Sequence, residues 1–332
     1  MRGNSFGKIL TMTTFGESHG DALGVILDGI PAGLVISHEK LQACLDKRRP
    51  GRLAGTSERQ ELDQFELLSG IHEGKTLGTP IGVIVRNHDA RSKDYEFSKT
   101  ENRVGHADLT TMMKFGIRDP RGGRRASGRE TVARVIAGYF ASLVLPQVEI
   151  RIQSLQLGEL KSIDCTSLQK EFGAYGFPTE DQNTEASHYL SELRTQGESV
   201  GCLVAVRIMN CPEALGEPVF DKLKAELAHA LLSIGGCMSF SIGAGEDFAS
   251  MRGSEIGNKR ELFGGIEGGI SNGENLYLEL CFKPTSTVGE KARQGRHDAC
   301  LAPRVFPVIE AMIRFVLADQ FLRQQAFKGP FA

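Results

Sequence analysis

The sequence predicts an α+β fold, in a single domain, whose sheets are mostly antiparallel. Three observations carry that expectation. Period-two apolar segments arrive in hairpin-like pairs separated by turn residues, with Leu276, Leu278, Leu280 and Phe282 as the cleanest alternation. Helical faces fall between groups of strands instead of after every strand, so the order is not a repeating βαβ pattern. The 332 residues contain no Pro/Ser-rich linker and no visible internal repeat, which favours one large domain over two.

Taken in order, Phe6 to Thr14 reads as a strand ending in Phe15-Gly16-Glu17-Ser18-His19-Gly20. Residues 24–27 and 34–36 read as two strands joined by the turn Asp28-Gly29-Ile30-Pro31-Ala32-Gly33. Ser37 is placed to cap a helix carrying Leu41 and Leu45, which stops at Pro50. Residues 52–64 are polar and read as a mobile loop, strands are expected at 65–71 and 81–85, and 87–102 is charged and irregular. A short helix is expected from Leu109 to Phe115. A longer one runs to Val144 with Val132, Val135, Ile136, Tyr139, Phe140 and Leu143 on one face. Ser127 and Glu130 have capping-box spacing, which places its start near Ser127. Residues 148–157 alternate as a strand, 163–198 read as a partly helical peripheral insertion, and 200–208 as a buried strand. Pro218 suits the first turn of a helix bearing Phe220, Leu223, Leu227 and Leu231. Strands follow at 239–242 and 276–282, around a glycine-punctuated loop at 264–269, and a last helix covers 305–322.

Hydrophobic residues make up 40% of the chain, enough for a sizeable core, yet no apolar run approaches the ~20 residues that cross a bilayer. The opening Met1-Arg2-Gly3-Asn4-Ser5-Phe6 has no signal-peptide pattern. Seven cysteines, scattered and without a C-x-x-C pair, argue against a disulfide framework or a zinc site and for the reducing cytoplasm.

The formal net charge is only -2, yet five arginines fall from Arg118 to Arg129, among glycines and just before the apolar face of the long helix. A helix N-terminus offers unpaired N–H groups and a positive dipole end, so this loop is suited to phosphate or carboxylate. Chemistry is concentrated at four other places: Gly16-Glu17-Ser18-His19-Gly20, Gly105-His106-Ala107-Asp108, Lys283-Pro284-Thr285-Ser286-Thr287 and Gly295-Arg296-His297-Asp298-Ala299-Cys300. The first is not a nucleophile elbow, because its Ser is off-centre. His106 and Asp108 suit either a tuned proton donor or a plain helix cap. The lysine and hydroxyls of 283–287 suit a phosphate but lack P-loop spacing. His297 and Cys300 have no second ligand pair, so no metal is assigned.

In their order and long-range spacing these segments, with Arg48-Arg49-Pro50-Gly51, Arg125-Ala126-Ser127-Gly128-Arg129-Glu130-Thr131 and Gly268-Gly269-Ile270-Ser271-Asn272-Gly273, resemble the chorismate synthase family over nearly the whole chain. The resemblance implies a lyase at the last common step of the shikimate pathway, converting 5-enolpyruvylshikimate 3-phosphate to chorismate and phosphate by 1,4-anti elimination. It implies reduced FMN without net redox change, a flavin reductant from outside, a homotetramer, and a sandwich of helices packed between antiparallel sheets. A substrate with two carboxylates and a phosphate brings roughly four negative charges, and burying them requires paired cations.

By the same resemblance Arg48, Arg129 and Arg304 bind substrate. Flavin contacts fall on Arg125, Ala126, Ser127, Gly235, Gly236, Gly268, Lys283, Pro284, Thr285, Ser286, Thr287 and Arg296. His19 would protonate the departing phosphate, His106 would manage the protonation state of the reduced flavin, and Asp298, aided by Ser18, would take a proton from flavin N5. Arg118, Arg121 and Arg124 are left for salt bridges or a subunit contact. The chain departs from the family pattern at Arg124 (usually Gly), Ala126 (usually Ser), Ala299 (usually Pro) and Ala54 (usually Arg). It is also shortened before Gly264 and between Thr287 and Gly295. Two rival readings are an RNA-binding module using the Gly/Arg loop and a flavin oxidoreductase with net hydride transfer. The loop has no aromatic on which bases would stack, the chain has no broad basic footprint, and no G-x-G-x-x-G follows a strand.

Overall fold

A computed structural model describes residues 3–56, 62–87, 103–119, 121–164, 172–294 and 297–327. The chain opens with β1 (Ser5–Gly7), β2 (Thr11–Gly16) and β3 (Ala22–Asp28). The alternation of 6–14 therefore belongs to two strands. Gly7, at φ +95, turns the chain between them, and the buried Asp319 carboxylate accepts the N–H groups of Lys8, Ile9 and Leu10 at 2.8–3.1 Å. Helix α1 (His38–Arg48) starts as expected, with Ser37 Oγ accepting the Lys40 N–H at 3.1 Å. Residues 34–36 do not pair back on β3. Leu34 instead exchanges hydrogen bonds with Thr76, and Val35 bridges Lys75.

Strands β4 (Phe65–Leu67), β5 (Ile71–His72), β6 (Lys75–Thr76) and β7 (Ile81–Arg86) follow, and the expected strand 65–71 breaks at Gly70, whose φ is +82. The first sheet has the order β1-β2-β3-β7-β4 and is antiparallel throughout. Helix α2 (Asp108–Phe115) precedes the arginine loop. Ser127 caps a short 3-10 turn, and α3 (Thr131–Ser142) begins only after it. Glu130 does not close a capping box, because its carboxylate pairs with Arg134 at 2.8 Å.

The remaining elements are β8 (Glu149–Leu157), β9 (Leu160–Lys161), α4 (Glu180–Gln196), β10 (Cys202–Met209), α5 (Leu223–Leu232), β11 (Cys237–Ile242), α6 (Gly253–Ile256), β12 (Ile266–Glu267), β13 (Ile270–Ser271), β14 (Leu276–Phe282), α7 (Glu290–Gln294) and α8 (Phe306–Phe327). The second sheet, β11-β14-β10-β8-β9, is also antiparallel. Pro218 does not open α5, and Phe220 is exposed. Residues 217–222 form a turn that Lys222 Nζ clamps to the carbonyls of Pro218 and Gly268, and helix starts where the Leu223 N–H reaches Gly269.

Helices α3 and α8 pack tightly at the centre. A Cβ on Gly138 would sit 2.4 Å from Ala311 Cα, so only glycine permits this approach. Helix α3 also lies on β3 of the first sheet, and α5 joins α8 to β11 of the second. Val132, Ile136, Phe140, Ile309, Ile313 and Phe315 belong to one buried cluster that spans both sheets. Ala186 and Leu190 of α4 join it. The six described cysteines are free thiols, and no described helix is long and apolar enough to cross a membrane.

Candidate active site

The ends of α1, α3 and α8, the β1–β2 hairpin and the segments at 103–107, 233–236 and 283–287 enclose a cavity of about 1250 Å³. Eight of its described lining residues are Arg or Lys (Arg48, Arg103, Lys114, Arg125, Arg129, Arg134, Lys283, Arg304), against two carboxylates, Glu130 and Asp298. In a chain of net charge -2, that concentration makes the cavity a receptor for anions.

Its deep wall is built on Asp63. The side chains of Arg48, Arg129 and Asp63 are 1%, 3% and 0% exposed, and the carboxylate takes one arginine on each oxygen. Arg48 also reaches the Gly128 carbonyl (3.3 Å), and Arg129 Nε donates to Asn87 Oδ1 at 2.9 Å. Burial acts to raise the Asp63 pKa, but the charges and hydrogen bonds of both arginines outweigh it and hold the carboxyl below the usual range. Burial pulls the Arg48 pKa down, and Asp63 opposes that pull. Asp63 lies in the polar stretch read from sequence as a mobile loop, yet it is itself buried and held by two ion pairs.

A second carboxylate, Asp108, organises the cavity mouth. It binds Arg103 (2.8 Å), Arg124 (2.9 Å) and the His106 ring (3.0 Å), with Arg118 at 3.7 Å. Burial would raise its pKa; the hydrogen bonds from Arg103 and the charges of His106 and Arg103 win and depress it strongly. Burial, and then the Arg103 charge, push His106 down from 6.5 to about 4 against the pull of Asp108, so its imidazole is neutral at pH 7. Beside it, Lys283 Nζ donates to Ser286 Oγ at 2.8 Å, and burial lowers the lysine's pKa. Thr285 Oγ1 donates to the Asp298 carbonyl at 2.9 Å, while the Asp298 carboxylate pairs with Arg304.

Of the residues singled out from sequence, Arg48, His106, Arg125, Ala126, Ser127, Arg129, Gly235, Gly236, Lys283, Pro284, Thr285, Ser286, Thr287, Asp298 and Arg304 line this one cavity. Arg125 docks the loop on the sheet edge, donating to the Gly16 carbonyl at 3.2 Å and to Thr14 Oγ1. Ser18 and His19 are buried and do not line it. They hydrogen-bond each other at 3.0 Å behind the loop, where Gly122, at φ +63, leaves room for the His19 ring. Gly123, its neighbour, does line the cavity. Gly268 stands away, in the β12–β13 turn clamped by Lys222. Arg296 lies outside the described residues. Sequence reasoning missed Asp63, Arg103, Lys114, Arg134 and His229. His297 also lines the cavity and was given no role from sequence, although it lies inside the Arg-His-Asp motif.

The lining also fits a flavin phosphate and ring. The lining combines its cations with open glycine backbone at Gly235, where a Cβ would meet nothing within 4 Å, and Phe6, Ile234, Leu301, Val305 and Met312 supply an apolar wall.

A family model described as chorismate synthase matches residues 10–322. Chorismate synthases of Christiangramia forsetii and Flavobacterium psychrophilum are 43% and 40% identical to this chain, each alignment covering 99% of it and 100% of the relative. That of Synechocystis is 43% identical, with 98% of both covered. A solved structure titled as chorismate synthase superposes with a TM-score of 0.76 at 28% identity, covering 96% of this chain and 93% of its own. The alignment to the first relative runs over 355 positions, more than the 332 residues here, in keeping with the shortened segments.

Proposed function

The chain belongs to the chorismate synthase family, and from that premise we propose how its residues serve the lyase reaction, the 1,4-anti elimination of phosphate from 5-enolpyruvylshikimate 3-phosphate to give chorismate. The observation that carries the reading is the cavity itself, where eight cationic side chains meet with two of them buried on one carboxylate. Arg48, Arg129 and Arg304 bind the substrate's carboxylates and phosphate through planar, charge-assisted pairs.

Arg125, Ala126, Ser127, Gly235, Gly236, Lys283 through Thr287 and Arg296 would hold reduced FMN, which when bound would supply electron density to the allylic system without net redox change. His106 offers a neutral imidazole beside Lys283, able to accept or return a proton at its ring nitrogen. The Asp298 carboxylate, in the lining, accepts a proton from the flavin side. For Ser18, His19 and Gly268 only the resemblance supports a role. The cavity reaches Gly123, one residue from the glycine that covers His19.

The same reading carries a homotetramer, helices sandwiched between the two sheets, a reductant supplied from outside, a cytoplasmic location, and no nucleic-acid or membrane partner. The test is anaerobic. Protein, reduced FMN and the substrate are mixed and chorismate is measured together with flavin absorbance. Chorismate formation with a transient absorbance change is expected. Net NAD(P)H consumption per turnover would move the assignment to an oxidoreductase.

A further inference from the structure

Arg124 has a backbone that a non-glycine residue rarely adopts, at φ +56, so its side chain is kept there at a conformational cost. The residue faces two ways. Its N–H donates to Ser18 Oγ at 3.0 Å, and Ser18 lies 3.0 Å from His19 Nδ1. Its guanidinium donates to the Asp119 carbonyl at 2.7 Å and pairs with Asp108 at 2.9 Å, and Asp108 lies 3.0 Å from His106 Nδ1. The side chain is 7% exposed. One residue thus joins both histidines through two intermediaries, Ser18 and Asp108.

We propose that Arg124 is a positioning residue that latches the glycine-arginine loop to the His106 segment through Asp108 and thereby fixes the environment of His106. The charged groups facing that ring are Arg103 and Asp108 on its own segment, Arg124 and Arg118 through Asp108, and Lys283, whose ammonium lies against Gly105. Arg124 adds positive charge that disfavours protonated His106, and it competes with the ring for the one Asp108 oxygen, Oδ1, that both reach. The functional weight of this latch rests on the role proposed for His106.

The latch is tested in the full-length protein with Arg124→Gly and Arg124→Lys. Glycine tolerates the positive φ, so the first variant should melt within about 3 °C of the parent. The His106 protonation midpoint, followed by imidazole NMR and assigned with His106→Asn, should rise by roughly half a pH unit to one unit in Arg124→Gly and return toward the parent value in Arg124→Lys. An unmoved midpoint in a folded Arg124→Gly overturns the latch. The pH profile of single-turnover chorismate formation is read in parallel. A shifted midpoint with an unshifted rate profile keeps the latch and removes His106 from the chemistry, so the two failures are distinguishable.

Discussion

Two buried carboxylates organise the cavity, and they do so differently. Asp63 holds two arginines that are themselves almost wholly buried, and their other donors reach the Gly128 and Arg86 carbonyls and Asn87 Oδ1. Asp108 holds a histidine and arginines whose side chains are 7–17% exposed, on segments at the mouth. The first arrangement makes a fixed anvil of positive charge, where desolvation makes each ion dependent on its partner. The second sets the protonation of one imidazole in a region that solvent still reaches. On the proposed reading, binding strength is stored at the back of the cavity and proton control at the front.

Asp63→Ala should separate the two most sharply. It strands two buried guanidinium groups, and breaking a buried pair costs about 3–5 kcal/mol, measurable as loss of unfolding free energy in urea. A loss below about 1 kcal/mol would mean that water already relieves the deep wall, and the contrast would collapse. Next in size is Arg129→Lys, which keeps charge but not the fork. One or two charge-assisted hydrogen bonds correspond to roughly 10- to 100-fold in kcat/KM, expected mainly as a raised substrate KM. An unchanged KM would place the substrate elsewhere in the cavity.

The mouth is tested by pH. The folded His106 pKa of about 4 lies below the usual 6.5, so the unfolded chain takes up that proton first. Its contribution is complete above pH 6.5, declines as pH falls, and is lost by about pH 4. His106→Asn should flatten the stability profile in that window relative to the parent. Asp63 and Asp108 are depressed below the carboxylate range, so their contribution survives that window and is lost only at lower pH. The smallest effect is expected for Lys283→Met, whose ammonium is partly exposed. Reduced FMN should bind a few-fold more weakly at low salt, with the difference fading as salt screens it.

Much of this was legible locally. Ser37 capped α1, the apolar face of α3 marked one central helix, the span of α8 was read nearly in place, and the β14 alternation marked an inner strand. Three of the four motif segments and the arginine loop led to one cavity, whereas the Gly16-Glu17-Ser18-His19-Gly20 segment and Gly268 lie beyond its lining. What was missed depended on distant partners. The break in 6–14 is held by Asp319, and the delayed start of α5 by the β12–β13 turn. Asp63 looked like any acid in a polar stretch, because nothing nearby in sequence shows that Arg48 and Arg129 converge on it. The arginines left for salt bridges did find acids: Arg121 on Asp119 (2.8 Å) and Arg124 on Asp108, with Arg118 close by.

The tie between Asp319 and the β1–β2 turn also has a meaning in time. Lys8 and Asp319 are separated by 311 residues, so the β1–β2 hairpin lacks its anchor until α8 has emerged. The same helix brings Val308 and Met312 to the cavity. A nascent chain stalled before α8 would leave the ribosome-bound hairpin without its anchor and the anion chamber without a wall. The wall that α8 gives the cationic interior is thus in place only after that helix has been made.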